Sequence, residues 1–253
     1  MINIYTDDEI KLIKESGHIT YQTHQYLKEF LKPGVTTKHI DDLAGEFIRS
    51  KGGVPSCLGF EGYPGNICIS VNDEVVHGFP SKTRKLNDGD VVSIDIGATY
   101  HGFVGDSAWT YPVGNISDEC KMLLETTEKA LFAGVSQMKE DNTLDDVGRA
   151  IENVAKSKNL GIVRNYGGHG VGRKMHEEPF VYNYSTGSNI KLKHGMTIAI
   201  EPMLNLGCDD VYTLDDQWTV VTCDKKPSAH FEHTVCVTND EPILLTQYDE
   251  TLL

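Results

Sequence analysis

The stretch 165–179, NYGGHGVGRKMHEEP, sets four glycines and two histidines, His169 and His176, within ten residues. Three chemistries compete for it: a phosphate-cradling loop, a zinc helix, or a metal site of another kind. The loop needs Lys and then Ser or Thr after its glycines, or G-x-G-x-x-G opening a helix; neither is present. The zinc helix needs H-E-x-x-H, and HEEPF lacks the second histidine. The glycines make better sense as letting the backbone approach metals and substrate around His169. Acids for such a site come from other stretches. In VVSIDI, Val92, Ile94 and Ile96 share one strand face, Ser93 and Asp95 the other. In TIAIEP, Ile198 and Ile200 alternate with Thr197, Ala199 and Glu201. Asp106 follows in HGFVGDSAWT, and Glu232 in AHFEHTVCVT. Four carboxylates in one cleft repel one another unless positive charge lies between them. Two divalent cations roughly 3.5–4 Å apart, bridged by shared acids, would neutralise them. Carboxylate-rich ligation with one imidazole suits Mn, Fe, Co or Zn.

The elements that must position these groups repeat along the chain. KLNDGDVVSIDIG begins at Lys85 and KLKHGMTIAIEPM at Lys191, an alignment that sets Ile94 on Ile200 and Asp95 on Glu201. At a similar offset Thr36 falls on Thr143, Ile40 on Val147 and Phe47 on Val154. The chain reads as one catalytic domain, 1–253, made of two fused halves, roughly 10–113 and 118–240, each helix-helix-strands. The Thr6/Glu9 capping box opens a helix predicted over Asp7 to Lys32, stopped by Pro33-Gly34. Thr36 or Thr37 caps a second, ending at Gly52-Gly53. Residues 54–80 read as strands and loops, 90–113 as a hairpin turning near Gly97–Gly102, and 118–139 and 143–158 as helices.

Composition sets limits. The 253 residues, 39% hydrophobic and 24% charged, support a folded globular core. A net charge of −14 repels a phosphate backbone, so no direct nucleic-acid binding is expected. No apolar run approaches the ~20 residues of a membrane span, and no basic-then-apolar leader is seen. The six cysteines lack a C-x-x-C pair and read as reduced thiols of a cytoplasmic protein.

GHGVG, MHEEP, IEPM and FEHTV, with Asp95 and Asp106 at their spacing, resemble the bacterial type I methionine aminopeptidases over nearly the whole chain. The resemblance implies an α+β pita-bread fold: two pseudo-symmetric halves, a curved antiparallel sheet, and helices behind it. It implies a metal-dependent hydrolase removing initiator methionine from chains with a small second residue. Asp95 would chelate one metal, Asp106 and Glu232 bridge both, and His169 and Glu201 complete the other. A water shared by the cations would attack the scissile carbonyl, with Glu201 as proton shuttle. His176 would hydrogen-bond the carbonyl or tetrahedral intermediate. His77, in VVHGFP, would contact the peptide nitrogen. Cys57, Phe60, Tyr63, Cys68 and Trp218 match the methionine pocket, a sulfur-lined slot suited to a thioether. Positions matching Asn72 and Ser228 hold a monovalent cation in some members. The implied partners are methionyl peptides and nascent chains at the ribosome, with no membrane, and the expected state is a monomer.

The sequence departs from the best-known bacterial pattern at Phe60, where Tyr is common, Glu61, where His is common, and Met175, where Phe precedes the second histidine. Prolidase and aminopeptidase P share the fold and similar ligands, and a non-catalytic peptide-binding scaffold is a third reading. Taken singly each residue has an ordinary explanation: a strand-end acid, a surface histidine, a core thiol or a core tryptophan. The remaining histidines, 18, 24, 39, 101, 194, 230 and 233, read as surface or local hydrogen-bonding groups.

Overall fold

The computed structural model describes residues 1–247. Helix α1 (Asp7–Lys28) opens on Thr6, whose hydroxyl accepts from the Glu9 N–H while the Glu9 carboxylate accepts from the Thr6 N–H. Helix α2 (Thr37–Ser50) is capped by Thr36. Helices α3 (Asp118–Val135) and α4 (Leu144–Ser157) start on Ser117 and Thr143. Two helices stop short of their predicted ends. At the end of α1 the Glu29 and Phe30 N–H groups reach carbonyls only three residues back, and Pro33 keeps Lys32 out of the helical region. After Val135 the N–H groups of Gln137 and Met138 bond in the same three-residue fashion.

Each helix pair backs its own sheet. Ile19, Leu27, Ile40 and Ile48 of α1 and α2 pack on Ile69, Ile94 and Ile96. Leu123, Leu131 and Ile151 of α3 and α4 pack on Ile198, Ile200 and Val235. The apolar strand faces are therefore the buried ones, as the alternation requires. The first sheet centres on the hairpin Val91–Tyr100 and Phe103–Pro112, with Val54–Pro55 and Cys68–Val71 on the free side of Val91–Tyr100. The second runs in the order Ile243–Leu244, His233–Cys236, Thr197–Ile200, Gly168–Gly170, Glu177–Val181. All pairings within both sheets are antiparallel. The hairpin turns on His101 and Gly102, both at positive φ; Gly97, at the near end of the predicted turn, lies mid-strand opposite Asp106. The same isolated antiparallel bridge occurs once with each helix pair, Thr36 with Lys85 and Thr143 with Lys191. No helix among the described residues is long and apolar enough to cross a membrane. All six cysteines are free.

Candidate active site

The two sheets meet along a seam that sets Asp106 and Glu232 side by side. Segment 230–234 runs antiparallel to Phe103–Pro112. The Glu232 N–H donates to the Ala108 carbonyl at 2.7 Å. The Thr110 hydroxyl accepts from the His230 N–H at 2.9 Å and donates to the His230 carbonyl at 2.8 Å. Asp95 joins from the neighbouring strand, where it pairs with Ala108. Glu201 follows the strand Thr197–Ile200 directly.

His169 enters between Ala199 and Phe180 on the second sheet. Its Nδ1 lies 2.9 Å from the Gly170 carbonyl, which only a protonated Nδ1 can bond. The Nε2 lone pair is thereby left facing the acids, 3.5 Å from Glu201 Oε1 and 3.9 Å from Asp106 Oδ2. The glycines beside it serve a different purpose from the one the sequence suggested. A Cβ on Gly168 would lie 2.1 Å from the Ala199 carbonyl oxygen, and one on Gly170 2.3 Å from that of Glu178. These two glycines let neighbouring strands close around His169, not a ligand.

The donor set fits divalent cations. Ligand atoms of Asp95, Asp106 and Glu232 lie within 4.8 Å of one another, as do those of His169, Glu201 and Glu232, so Glu232 belongs to both groups. Asp106, His169 and His176 form a third. Asp106 Oδ1 and Glu232 Oε1 are buried without a hydrogen-bond partner. Burial, then mutual repulsion with Asp95 and Glu201 among others, pushes the Asp106 and Glu232 carboxyls well above the usual range. Burial alone does so for Glu201. Orphaned oxygens and frustrated charges are what a site built for cations shows without them.

A cavity of about 810 Å³ opens above the acids, and all twelve sequence-selected residues line it. Its closed end is Cys57, Tyr63 and Cys68, each at most 6% exposed, with Trp218 packed against them. The Tyr63 hydroxyl donates to the Gly78 carbonyl at 2.7 Å. Trp218 sits on a turn tied by Asp216, whose carboxylate accepts from the N–H groups of Trp218 and Thr219 and from the Thr219 hydroxyl. His77 holds a φ of +60°, rare for a non-glycine residue, and its ring meets Tyr166 and Trp218 edge-on. His176 stands perpendicular to His169 with 4.3 Å between ring centroids, and the Phe60 ring meets it edge-on with centroids 5.1 Å apart. Glu61, at the mouth, is also in the left-handed region.

His230 corrects the sequence reading. It is a buried wall of the cavity, 2% exposed, its Nε2 3.3 Å from Glu201 Oε2 but not aligned for a hydrogen bond. A lone histidine beside an apolar residue carries no spacing signal; the seam register puts it there. His24 and His233 are buried and hydrogen-bonded. Asp216 could have been found as an acid two residues before Trp218, the Asx-turn spacing. The Glu177 carboxylate, bonded by Tyr5, Asn3 and the Lys174 N–H, braces the loop carrying His176 and had no signal in the sequence.

The family model described as metallopeptidase family M24 matches residues 11–239. Methionine aminopeptidase 1 of Bacillus subtilis is 47% identical over 248 residues, 98% of this chain and 100% of that protein. A methionine aminopeptidase structure from Thermotoga maritima superposes with a TM-score of 0.96 at 38% identity, covering 98% of this chain and 100% of that one. One from Rickettsia prowazekii gives 0.95 at 37%, with the same coverage. The layered architecture is the α+β pita-bread fold.

Proposed function

Because the chain belongs to metallopeptidase family M24, and within it to the methionine aminopeptidases, we propose that it removes N-terminal methionine from peptides and nascent proteins whose second residue is small. The observation that carries this is the joining of two overlapping ligand groups to a closed apolar, sulfur-lined slot in one cavity. Asp95, Asp106 and Glu232 would hold one divalent cation, and His169, Glu201, Asp106 and Glu232 the other. Such cations would supply Lewis acidity and lower the pKa of a water at the site.

The remaining work falls to the chain's own groups. The slot of Cys57, Phe60, Tyr63, Cys68 and Trp218 takes the methionine side chain, and its thiols and rings suit a flexible thioether. His176 donates to the scissile carbonyl oxygen, favouring charge as it develops there. His77 contacts the amide nitrogen. Glu201 accepts the proton of the attacking water and passes it to the leaving amine. Its carboxylate stands 3.5 Å from His169 Nε2 and 3.3 Å from His230 Nε2. The repeated Thr36–Lys85 and Thr143–Lys191 bridges support a single domain of two equivalent halves. Asn72 and Ser228, where a monovalent cation is part of this reading, meet through a 2.9 Å bond from the Ser228 N–H to the Asn72 carbonyl. The free cysteines suit a reducing, cytoplasmic setting, and the reading includes a monomer acting on chains leaving the ribosome.

The test is methionine release from Met-Ala-Ser, Met-Ile-Ser and an Xaa-Pro dipeptide, first with chelator, then with Mn, Fe, Co or Zn restored. Release from Met-Ala-Ser alone, abolished by chelator, is expected. Equal release from both methionyl peptides would reject the size rule, and faster Xaa-Pro cleavage would reject the substrate.

A further inference from the structure

We propose that the aromatic row Phe180, Tyr182 and Tyr184 is a binding track for downstream residues of the substrate chain, favouring apolar and aromatic side chains there. The inference rests on the peptidase reading above.

A half-buried antiparallel strand normally turns polar residues outward. From 178 to 183 the alternation holds: Pro179, Val181 and Asn183 are buried, and Glu178, Phe180 and Tyr182 are exposed. After Glu178, however, the outward positions carry rings, with Phe180 42% and Tyr182 40% exposed. The rings form one face. Centroids of Phe180 and Tyr182 lie 4.7 Å apart, and those of Tyr182 and Tyr184 5.3 Å. The Arg164 guanidinium stacks 4.6 Å above Tyr184 and is tied to Asp209 at 2.9 Å, which closes the far end of the row. The strand Glu177–Val181 is at the edge of its sheet; Glu177, Glu178 and Pro179 guard its first part, and the rings from Phe180 onward lie past those guards. Two exposed rings continued by the half-buried Tyr184 form a patch, not scattered surface residues.

Continuity with the cavity identifies the occupant. Phe180 lines the cavity, and its ring lies over Gly167, whose added Cβ would be 3.1 Å from Phe180 Cζ. Cys57, Tyr63 and Cys68 line the same cavity but are buried, whereas Phe180 is exposed. A chain whose first side chain fills the buried part of the cavity must leave past its exposed lining, where Phe180 begins the row. An extended peptide rises about 3.4 Å per residue, so the row accommodates about three residues. Rings of Tyr and Phe give large contact area at little conformational cost, without reading one particular sequence. The substrate class is thus polypeptides with apolar residues near the start, beyond the small second one.

The experiment compares kcat/KM for methionine release from Met-Ala-Ser, Met-Ala-Ser-Phe-Leu-Tyr and Met-Ala-Ser-Gly-Ser-Gly, in the parent and in a Tyr182→Ser/Tyr184→Ser variant. The parent is expected to favour the aromatic hexapeptide over the Gly-Ser one about tenfold, through KM, as two ring contacts would give. In the variant the ratio falls to about one. No preference in the parent, or an unchanged preference in the variant, overturns the track while leaving the peptidase reading intact. Failure to release methionine from any peptide rejects the peptidase reading and the track with it. A concentration-dependent dimer in the parent, lost in the variant by sedimentation, would assign the row to self-association and overturn the proposal.

Discussion

The Thr234 hydroxyl accepts from the Asp106 N–H at 3.1 Å and donates to the Asp106 carbonyl at 2.8 Å. One side chain thus satisfies both backbone groups of a residue 128 positions earlier and clamps the strand on which the Asp106 carboxylate stands. Thr234→Val keeps the shape and removes both bonds. It is expected to weaken divalent-metal binding about tenfold or more, the usual effect of losing an outer partner of a ligand. Thr234→Ser is expected to restore it. Calorimetric titration with Mn decides; equal affinities in all three proteins would reject the clamp.

The carboxylates make metal-free stability depend on pH. Burial pushes Asp95 up to about 6, with His230 pulling down and Glu201 pushing up; Asp106, Glu201 and Glu232 are raised as well. Folded values above unfolded ones mean the folded state holds more protons. The Asp95 share of this stability is full below about pH 4 and lost as pH rises through about 6, and the other three carboxyls, raised further, lose theirs at higher pH. Cations replace those protons and lift the penalty. Chelator is therefore expected to lower Tm more at about pH 8 than at about pH 5.5, and metal loading to release protons, measurable in two buffers of different ionisation enthalpy. A Tm difference independent of pH would contradict this.

His24 gives the opposite slope. Its Nε2–H donates to the Ser107 carbonyl and its Nδ1 accepts from the Tyr111 hydroxyl, both at 3.1 Å, so the ring is neutral. Burial lowers it to about 4. Above about pH 6.5 the ring is uncharged in both states; below, the unfolded chain takes the proton first. Stability falls between about pH 6.5 and 4, by about 3 kcal/mol from this residue. His24→Gln removes the titration and should flatten part of the decline in urea midpoint. Parallel declines in parent and variant would exclude His24 as a source.

Asp216→Ala deletes the acceptor of three hydrogen bonds at the turn that presents Trp218. Each bond is worth about 1 kcal/mol, so the indole should lose its fixed position. KM for methionyl peptides is expected to rise about tenfold with kcat changed less, because the slot binds and does not react. A fall in kcat at constant KM would show that Trp218 acts on the chemical step.

The helices and the acids were legible because both follow from which strand or helix face must bury. Alternation at 92–96 and 198–201 sets Asp95 and Glu201 on the strand faces turned away from the helices. The repeat exposed their equivalence. What stayed hidden depends on register between distant strands. His230 looks like any histidine until Thr110 locks its backbone across the seam. The purpose of Gly168 and Gly170 is set by the carbonyls of Ala199 and Glu178, which no local pattern reveals. Helix ends were overrun where tight three-residue turns end α1 and α3 before the obvious breakers.

The pairing of segment 230–234 with the strand of Asp106 also governs when the enzyme can come into being. Contacts spanning about half the polypeptide form late and slowly, since a long loop must close first. A chain interrupted between Glu201 and Glu232 keeps three of the four acids yet lacks the residue common to the two carboxylate-rich ligand groups. On the proposed ligand set, synthesis must therefore pass Glu232 before both cation sites have all their donors.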